Sequence, residues 1–224
     1  MDFAPELAGT IAILLIFSLV SYAKRLLDIW GILAADIFGA LAFTMAGFSS
    51  FLALLLLYIC AIIATKIGRM GRQKHETRTI ENIAGNGGPA IIFMLLGSPV
   101  GFFGAISGAL ADTFSSEIGI NSKGKPVMIT TFEQVEKGTD GAVSLLGLGA
   151  GVVGAAIIAA LYYVLISPSK KMLLLFMLAG ICGGIVDSVL GATLQRRGLL
   201  GNNQVNFIAS ACAAGIAMLL SIAV

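Results

Sequence analysis

Four carboxylates interrupt long apolar runs of this chain: Asp36, Asp112, Glu117 and Asp187. A carboxylate at the centre of a bilayer costs roughly 2.5–3.5 kcal/mol on insertion scales, so such residues serve function or bond neighbouring helices. Asp112 and Glu117 close one run, within Ala111-Asp112-Thr113-Phe114-Ser115-Ser116-Glu117, and Asp187 lies near the end of another. On a helix Asp187, Gly191 and Gln195 share one face, with Ser188 beside them. The small Gly191 leaves room there for a ligand. Hard oxygen donors suit Mg2+, not zinc. The lone His75 and the dispersed Cys60, Cys182 and Cys212 offer no soft site. Asp112, Glu117 and Asp187 are therefore candidate metal ligands. Asp36, alone among Ala, Ile and Phe, fits a helix-to-helix contact equally well.

Three further segments have the composition of helix starts: Asn86-Gly87-Gly88-Pro89, Gly138-Thr139-Asp140-Gly141 followed by Ser144, and Asn202-Asn203-Gln204-Val205-Asn206. Pro89 suits a first helical position. A helix start presents free N–H groups and the positive end of a dipole, and glycine lets a phosphate approach closely. Capping alone explains each segment singly. Gathered at the depth of the acids, and with Arg78 near, they describe a nucleotide-phosphate site at a membrane surface. Asn86, Gly87, Ser115, Ser116, Gly138, Thr139, Asp140, Ser144, Ser188, Gln195, Asn203 and Asn206 are the candidate binding residues. Arg78, Asp112, Glu117 and Asp187 are the candidate catalytic ones.

The elements that must position these residues are membrane helices. The chain has 224 residues, 58% hydrophobic and 12% charged, with a formal net charge of +2. Its mean hydropathy is +0.97. Soluble domains carry about 25% charged residues, so a soluble globular protein, a disordered chain and a nucleic-acid-binding module are all excluded. The apolar stretches are continuous, not alternating, which predicts helices and not the strands of a membrane barrel. Runs near 7–22, 30–47, 51–65, 88–101, 102–118, 142–166, 172–194 and 203–224 predict an all-α, polytopic helix bundle of about eight spans. Some spans are expected to be broken or short. Breaks are expected at Gly47 to Ser50 and at Gly97-Ser98-Pro99.

We read residues 1–224 as a single integral-membrane domain: three N-terminal spans over 1–65, a basic loop over 66–85, and a motif-bearing core over 86–224. Alternating the spans puts Lys24, Arg25, Lys66, Arg69, Arg72, Lys74, Arg78, Lys123, Lys125, Lys137, Arg196 and Arg197 on one side, leaving Lys170 and Lys171 opposite. The positive-inside rule makes that side cytoplasmic, with both termini outside. The expected setting is a prokaryotic plasma membrane, with the site on its cytoplasmic face. The basic loop serves topology and anionic headgroups as readily as it serves phosphate. No feature of the sequence sets an oligomeric state.

Two motifs carry no chemistry. Gly149 to Gly154 matches GxGxxG but sits inside an apolar run after no strand, so helix packing explains it, as it does Gly180 to Gly184. No Walker A sequence is present.

The ordered motifs Asn86-Gly87, Ala111-Asp112-Thr113 with Ser116-Glu117-Ile118-Gly119, Gly138-Thr139-Asp140-Gly141 with Ser144, Asp187-Ser188 with Leu190-Gly191-Ala192 and Gln195, and Asn202-Asn203 with Val205-Asn206-Phe207 resemble an integral-membrane family. It is the family of plant and cyanobacterial phytyl-phosphate kinases and of human transmembrane protein 19, catalogued as domain of unknown function ninety-two. The resemblance covers roughly residues 78–207. Phe114 replaces the usual Trp. Gly201 stands where an Asp is expected, so any metal-binding task of that Asp is missing here or passes to Asp187 or another carboxylate.

The resemblance implies transfer of a phosphoryl group from CTP, or another nucleoside triphosphate, to a prenyl monophosphate such as phytyl or geranylgeranyl phosphate, with Mg2+. The residues support the same class: the prenyl chain stays in lipid while its phosphate reaches the surface. The acceptor phosphate is already ionised, so the acids serve as metal ligands, not bases. A CTP-dependent lipid cytidylyltransferase and a membrane transporter remain the alternatives.

Overall fold

The computed structural model describes residues 3–68 and 77–223. Seven α-helices carry the chain: α1 Phe3–Ala23, α2 Ile29–Gly68, α3 Ile80–Leu95, α4 Pro99–Gly119, α5 Leu145–Leu165, α6 Lys170–Leu190 and α7 Asn202–Ile222. A π-helical turn, Gly191–Gln195, extends α6. The one small sheet among the described residues pairs β1 Val127–Met128 antiparallel with β2 Ala142–Val143. Five helices, α1, α2, α5, α6 and α7, are long and apolar enough to cross a membrane. This gives fewer candidate spans than the eight apolar runs, because α2 joins two of them and α3 and α4 fall outside that class.

The 40 residues of α2 would stretch about 60 Å if straight, twice a bilayer core of ~30 Å. They do not, because Gly47 takes φ 81, ψ 179 in mid-helix. The halves fold back on each other: a methyl on Gly39 would lie 3.3 Å from the Phe51 ring. The break expected at Gly47 is therefore a helical hairpin. The second expected break is also present, with Ser98 capping α4 through Gly101 N (3.0 Å) and Pro99 opening the helix.

Helix α4 is the axis of the bundle. Every residue from Gly101 to Ala111 is buried, as a helix enclosed on all sides requires. Small residues let its neighbours approach. A Cβ on Gly104 would fall 2.5 Å from Ala217 of α7, and one on Gly154 of α5 would fall 2.7 Å from Leu110 O. Gly180 of α6 meets Ser107, whose hydroxyl donates to Phe176 O at 2.8 Å. The GxGxxG and GxxxG segments are thus packing seams, built as small residues build them in lipid.

Three boundaries differ from the sequence reading. The expected loop 66–85 is helical at both ends, since α2 runs to Gly68 and α3 starts at Ile80; Arg69, Arg72, Lys74 and His75 lie outside the described residues. Asn86, Gly87, Gly88 and Pro89 are inside α3, not before it. The start moves to Thr79 because Asn82 Oδ1 accepts from Thr79 N at 2.9 Å, satisfying an N-terminal amide. Helix α5 likewise starts at Leu145, capped by Ser144, so Gly138-Thr139-Asp140-Gly141 belongs to a hairpin loop and not to a helix start.

Candidate functional site

One end of the bundle collects the polar residues. The C-terminal turns of α4 and α6 meet there with the starts of α3, α5 and α7 and with the loop between α4 and α5. Arg78 joins this end through a bridge to Leu27: Asp28 N donates to Arg78 O and Arg78 N donates to Leu26 O, each at 3.0 Å.

Asp112 of α4 and Asp187 of α6 face each other at hydrogen-bonding distance, both partly buried. Two carboxyls this close cannot both stay ionised unless a cation or a shared proton lies between them. Asn206 holds one of them. With its amide nitrogen turned to donate, it reaches Asp187 Oδ2 at 3.2 Å and Asn202 O at 3.0 Å. Glu117 turns away toward α2. Its Oε1 accepts from Thr65 Oγ1 at 2.8 Å and lies 4.0 Å from Arg78 Nη2. Arg78 Nη2 also donates to Thr65 Oγ1 at 2.7 Å and to Ala61 O at 3.3 Å. Among the described residues no three Asp, Glu, His or Cys side chains gather closely enough to hold one metal ion. The structure joins Asp112 to Asp187 and gives Glu117 to Arg78.

The acid pair is the wall between two polar cavities. The first, of about 160 Å³, lies under the hairpin loop; besides Asp112 and Asp187 it is lined by Lys137, Thr139, Asp140 and Gln195. Ser115, Ser116, Gly138, Ser144 and Ser188 also reach it. The second, of about 260 Å³, contains Arg78, Asn82, Asn86, Glu117 and Asn206 beside the same two acids. Asn202 and Ser116 line both.

Several hydroxyls are already committed. Ser144 caps α5 and donates to Gly119 O at 3.3 Å. Ser188 donates to Gly184 O and Thr139 to Glu136 O. Lys137 donates to Ser122 O. Gly191 does share its face with Asp187 and Gln195, but the room expected above it is occupied: a methyl there would lie 2.8 Å from Gly141 N. Gly141, at φ 76, seats the hairpin loop directly on the π turn.

Two sequence candidates do not line the cavities as expected, and Asp36 makes the helix-to-helix contact that fitted it equally well. Gly87 faces Tyr58 and Phe38. Asn203 accepts from Asn82 Nδ2 at 2.9 Å and lines an apolar groove instead. Asp36 is taken up by Ser18, whose hydroxyl donates to it at 2.7 Å, in the α1–α2 contact. Asn86 does line a cavity, although not at a helix start. It is 7% exposed, its Nδ2 donates to Asn82 O at 3.0 Å, and its Oδ1 has no hydrogen-bond partner.

Sequence reasoning passed over Thr65 and Asn82 as site residues and took Asn202 only as part of a helix start. Asn82 carried a signal, standing three residues after Thr79 in a capping pattern. Thr65 carried none, since it sits in an apolar run.

The chain's sequence matches the family model described as "Integral membrane protein DUF92" over residues 12–214. It is 36% identical over 220 residues to "Uncharacterized membrane protein MJ0933" of Methanocaldococcus jannaschii, covering 94% of this chain and 92% of that one. It is 28% identical to "Protein PGR" of Arabidopsis thaliana, covering 88% and 83%. It is 27% identical to "Protein VTE6, chloroplastic" of the same plant, covering 85% of this chain and 64% of that protein. No solved structure matches it.

Proposed function

We propose that this chain, which belongs to the integral membrane protein DUF92 family, is a phosphotransferase that moves the terminal phosphoryl group of CTP, or of another nucleoside triphosphate, to a prenyl monophosphate and releases the prenyl diphosphate. The observation that carries this reading is the Asp112–Asp187 pair standing between two polar cavities at one end of an apolar bundle. A phosphoryl transfer needs two anionic reactants brought together in line, with charge compensation at the point where they meet. The resemblance of the ordered motifs to phytyl-phosphate kinases supports the same chemistry. The basic residues collected at this end support a cytoplasmic site in a prokaryotic plasma membrane.

The donor set fits Mg2+. A cation can take the place of a shared proton between two carboxyls at hydrogen-bonding distance, and Mg2+ binds through one or two carboxylates plus substrate phosphates. Asp112 and Asp187 would hold it, with Asn206 fixing the orientation of Asp187. When bound, it would neutralise charge on the phosphates of the donor. Arg78, oriented by Thr65 and Glu117, spreads charge on the transferring group. The positive ends of α3, α5 and α7 point toward the same region. The acceptor is an ionised phosphate, so none of these residues has to act as a strong base.

Purified protein supplied with Mg2+, CTP and a prenyl monophosphate should yield the prenyl diphosphate and CDP by mass spectrometry. A cytidine-linked lipid with pyrophosphate would make the protein a cytidylyltransferase. Neither product, with solute movement in liposomes, would make it a transporter.

A further inference from the structure

The two cavities are not equivalent, and their surroundings differ in a way that separates the reactants. The Arg78 cavity ends at Asn82, and Asn82 Nδ2 donates to Asn203 Oδ1 at 2.9 Å. On the other side of that bond, between α3 and α7, runs a largely apolar groove walled by Ala84, Leu200, Phe207 and Ile208, which Glu81 and Gln204 also reach. Polar cavity and apolar groove are therefore neighbours across one side-chain contact. The hairpin cavity has a different boundary. Lys137, Gly138 and Asp140 on its rim are exposed, and its cover is the loop between α4 and α5. A second groove, beside Lys123, Lys125 and Leu145, touches the hairpin cavity only through Ser144, whose hydroxyl is committed to Gly119 and Gly147.

Asn86 gives an independent sign of a ligand. Asn86 is 7% exposed and lines the Arg78 cavity; its Oδ1 is buried beside that cavity without a partner, while its Nδ2 is fixed on Asn82 O. A buried acceptor left unpaired is destabilising. It calls for a ligand that brings a donor to this spot. A monophosphate ester, with its second ionisation near pH ~6, still carries a P–OH in its monoanionic form.

We propose that the two cavities divide the reactants: the lipid monophosphate occupies the Arg78 cavity with its chain along the α3–α7 groove, and the nucleoside triphosphate occupies the hairpin cavity. The proposal rests on the phosphotransferase reading above. The P–OH of the lipid phosphate donates to Asn86 Oδ1, and an ionised oxygen of the same phosphate faces the Asp112–Asp187 wall. That oxygen forms the new bond to the terminal phosphorus. The bond between that phosphorus and the oxygen bridging it to the next phosphate breaks, and the nucleoside diphosphate leaves with the electron pair. The total charge is unchanged across the step, and no proton has to move.

Equilibrium binding of each reactant alone to the full-length protein in nanodiscs tests this without turnover. The probes are CTP with Mg2+, geranylgeranyl monophosphate, and a short-chain prenyl monophosphate. Asn86→Leu should weaken both lipid phosphates about tenfold and leave CTP within about twofold. Ile208→Trp, on the bundle flank, should weaken the long-chain lipid about tenfold and spare the short-chain one and CTP. Lys137→Met, which removes the positive charge at the rim of the hairpin cavity, should do the reverse, weakening CTP about tenfold and sparing both lipids. The Ile208→Trp result stands even if Asn86→Leu fails to fold.

If the wild type forms prenyl diphosphate but Asn86→Leu or Ile208→Trp weakens CTP instead, the division is wrong and the phosphotransferase reading survives. If the wild type binds CTP or lipid phosphate yet transfers nothing, the phosphotransferase reading fails and the division with it.

Discussion

Gly141→Ala should abolish the proposed phosphoryl transfer while leaving the bundle folded. Gly141 has φ 76, a conformation that costs an L-residue about 1–2 kcal/mol. Its new methyl would also come within 2.5 Å of Ala192 Cα and Cβ on the π turn, where ordinary contact begins at 3.4 Å. Backbone cannot rotate away as a side chain can, so the hairpin loop must lift by roughly 1 Å. A misplacement of that size costs about 100-fold in kcat/KM, or about 2.7 kcal/mol. Gly97→Ala is the control, since Gly97 has φ 73 but nothing within 4 Å. It carries the same backbone cost at the turn between α3 and α4, away from the site. Thermal unfolding and prenyl-diphosphate formation are measured for both. A somewhat larger loss of stability in Gly141→Ala, and a large loss of kcat/KM only there, are expected. If Gly141→Ala keeps kcat/KM within about threefold of Gly97→Ala, the loop does not depend on that contact and the reasoning is refuted.

Asp112→Asn and Asp187→Asn should each lower kcat by more than about 100-fold with Tm little changed, because they remove charge from the wall between the cavities. Asp36→Asn should have a much smaller effect, since Asp36 pairs with Ser18. Glu117→Gln should reduce kcat/KM less than the Asp112 change, as its contact is Arg78 and Thr65; a steady-state comparison of the three ranks them. Gly104→Leu should unfold or strongly destabilise the protein in a detergent melt, because its Cβ alone meets Ala217 at 2.5 Å, whereas Gly149→Leu, with open space around it, should be tolerated.

Continuous apolar runs made the helices legible, and glycine and proline made the breaks legible. Gly47 reads as a break because a glycine that accepts positive φ stands beside Ser49 and Ser50 between two apolar runs, and Ser98-Pro99 reads as a start because it supplies a cap and a helix-compatible φ. The same rule misled at Pro89. Asn86-Gly87-Gly88-Pro89 has the composition of a helix start, yet α3 is already capped seven residues earlier by Thr79 and Asn82. Its glycines serve contact instead: Gly85 meets Asn203, and Gly88 meets Phe207. For the candidate site, acids in apolar runs single out Asp112 and Asp187, which the fold brings together, because lipid makes an unused carboxylate expensive. The pairing of Glu117 with Arg78 was hidden, since proximity across 39 residues depends on how α2 folds back. Gly191 read as open space because its neighbour, Gly141, comes from a loop whose position has no local signature.

The transfer itself is the most direct test. Protein in nanodiscs is given CTP labelled in its terminal phosphate, Mg2+ and geranylgeranyl monophosphate, and the label is followed through a single turnover. The expected result is label in geranylgeranyl diphosphate, with unlabelled CDP released and no transfer by Asp187→Asn. Label appearing in pyrophosphate, or remaining in CTP while the wild-type protein is folded and both reactants are bound, would contradict it.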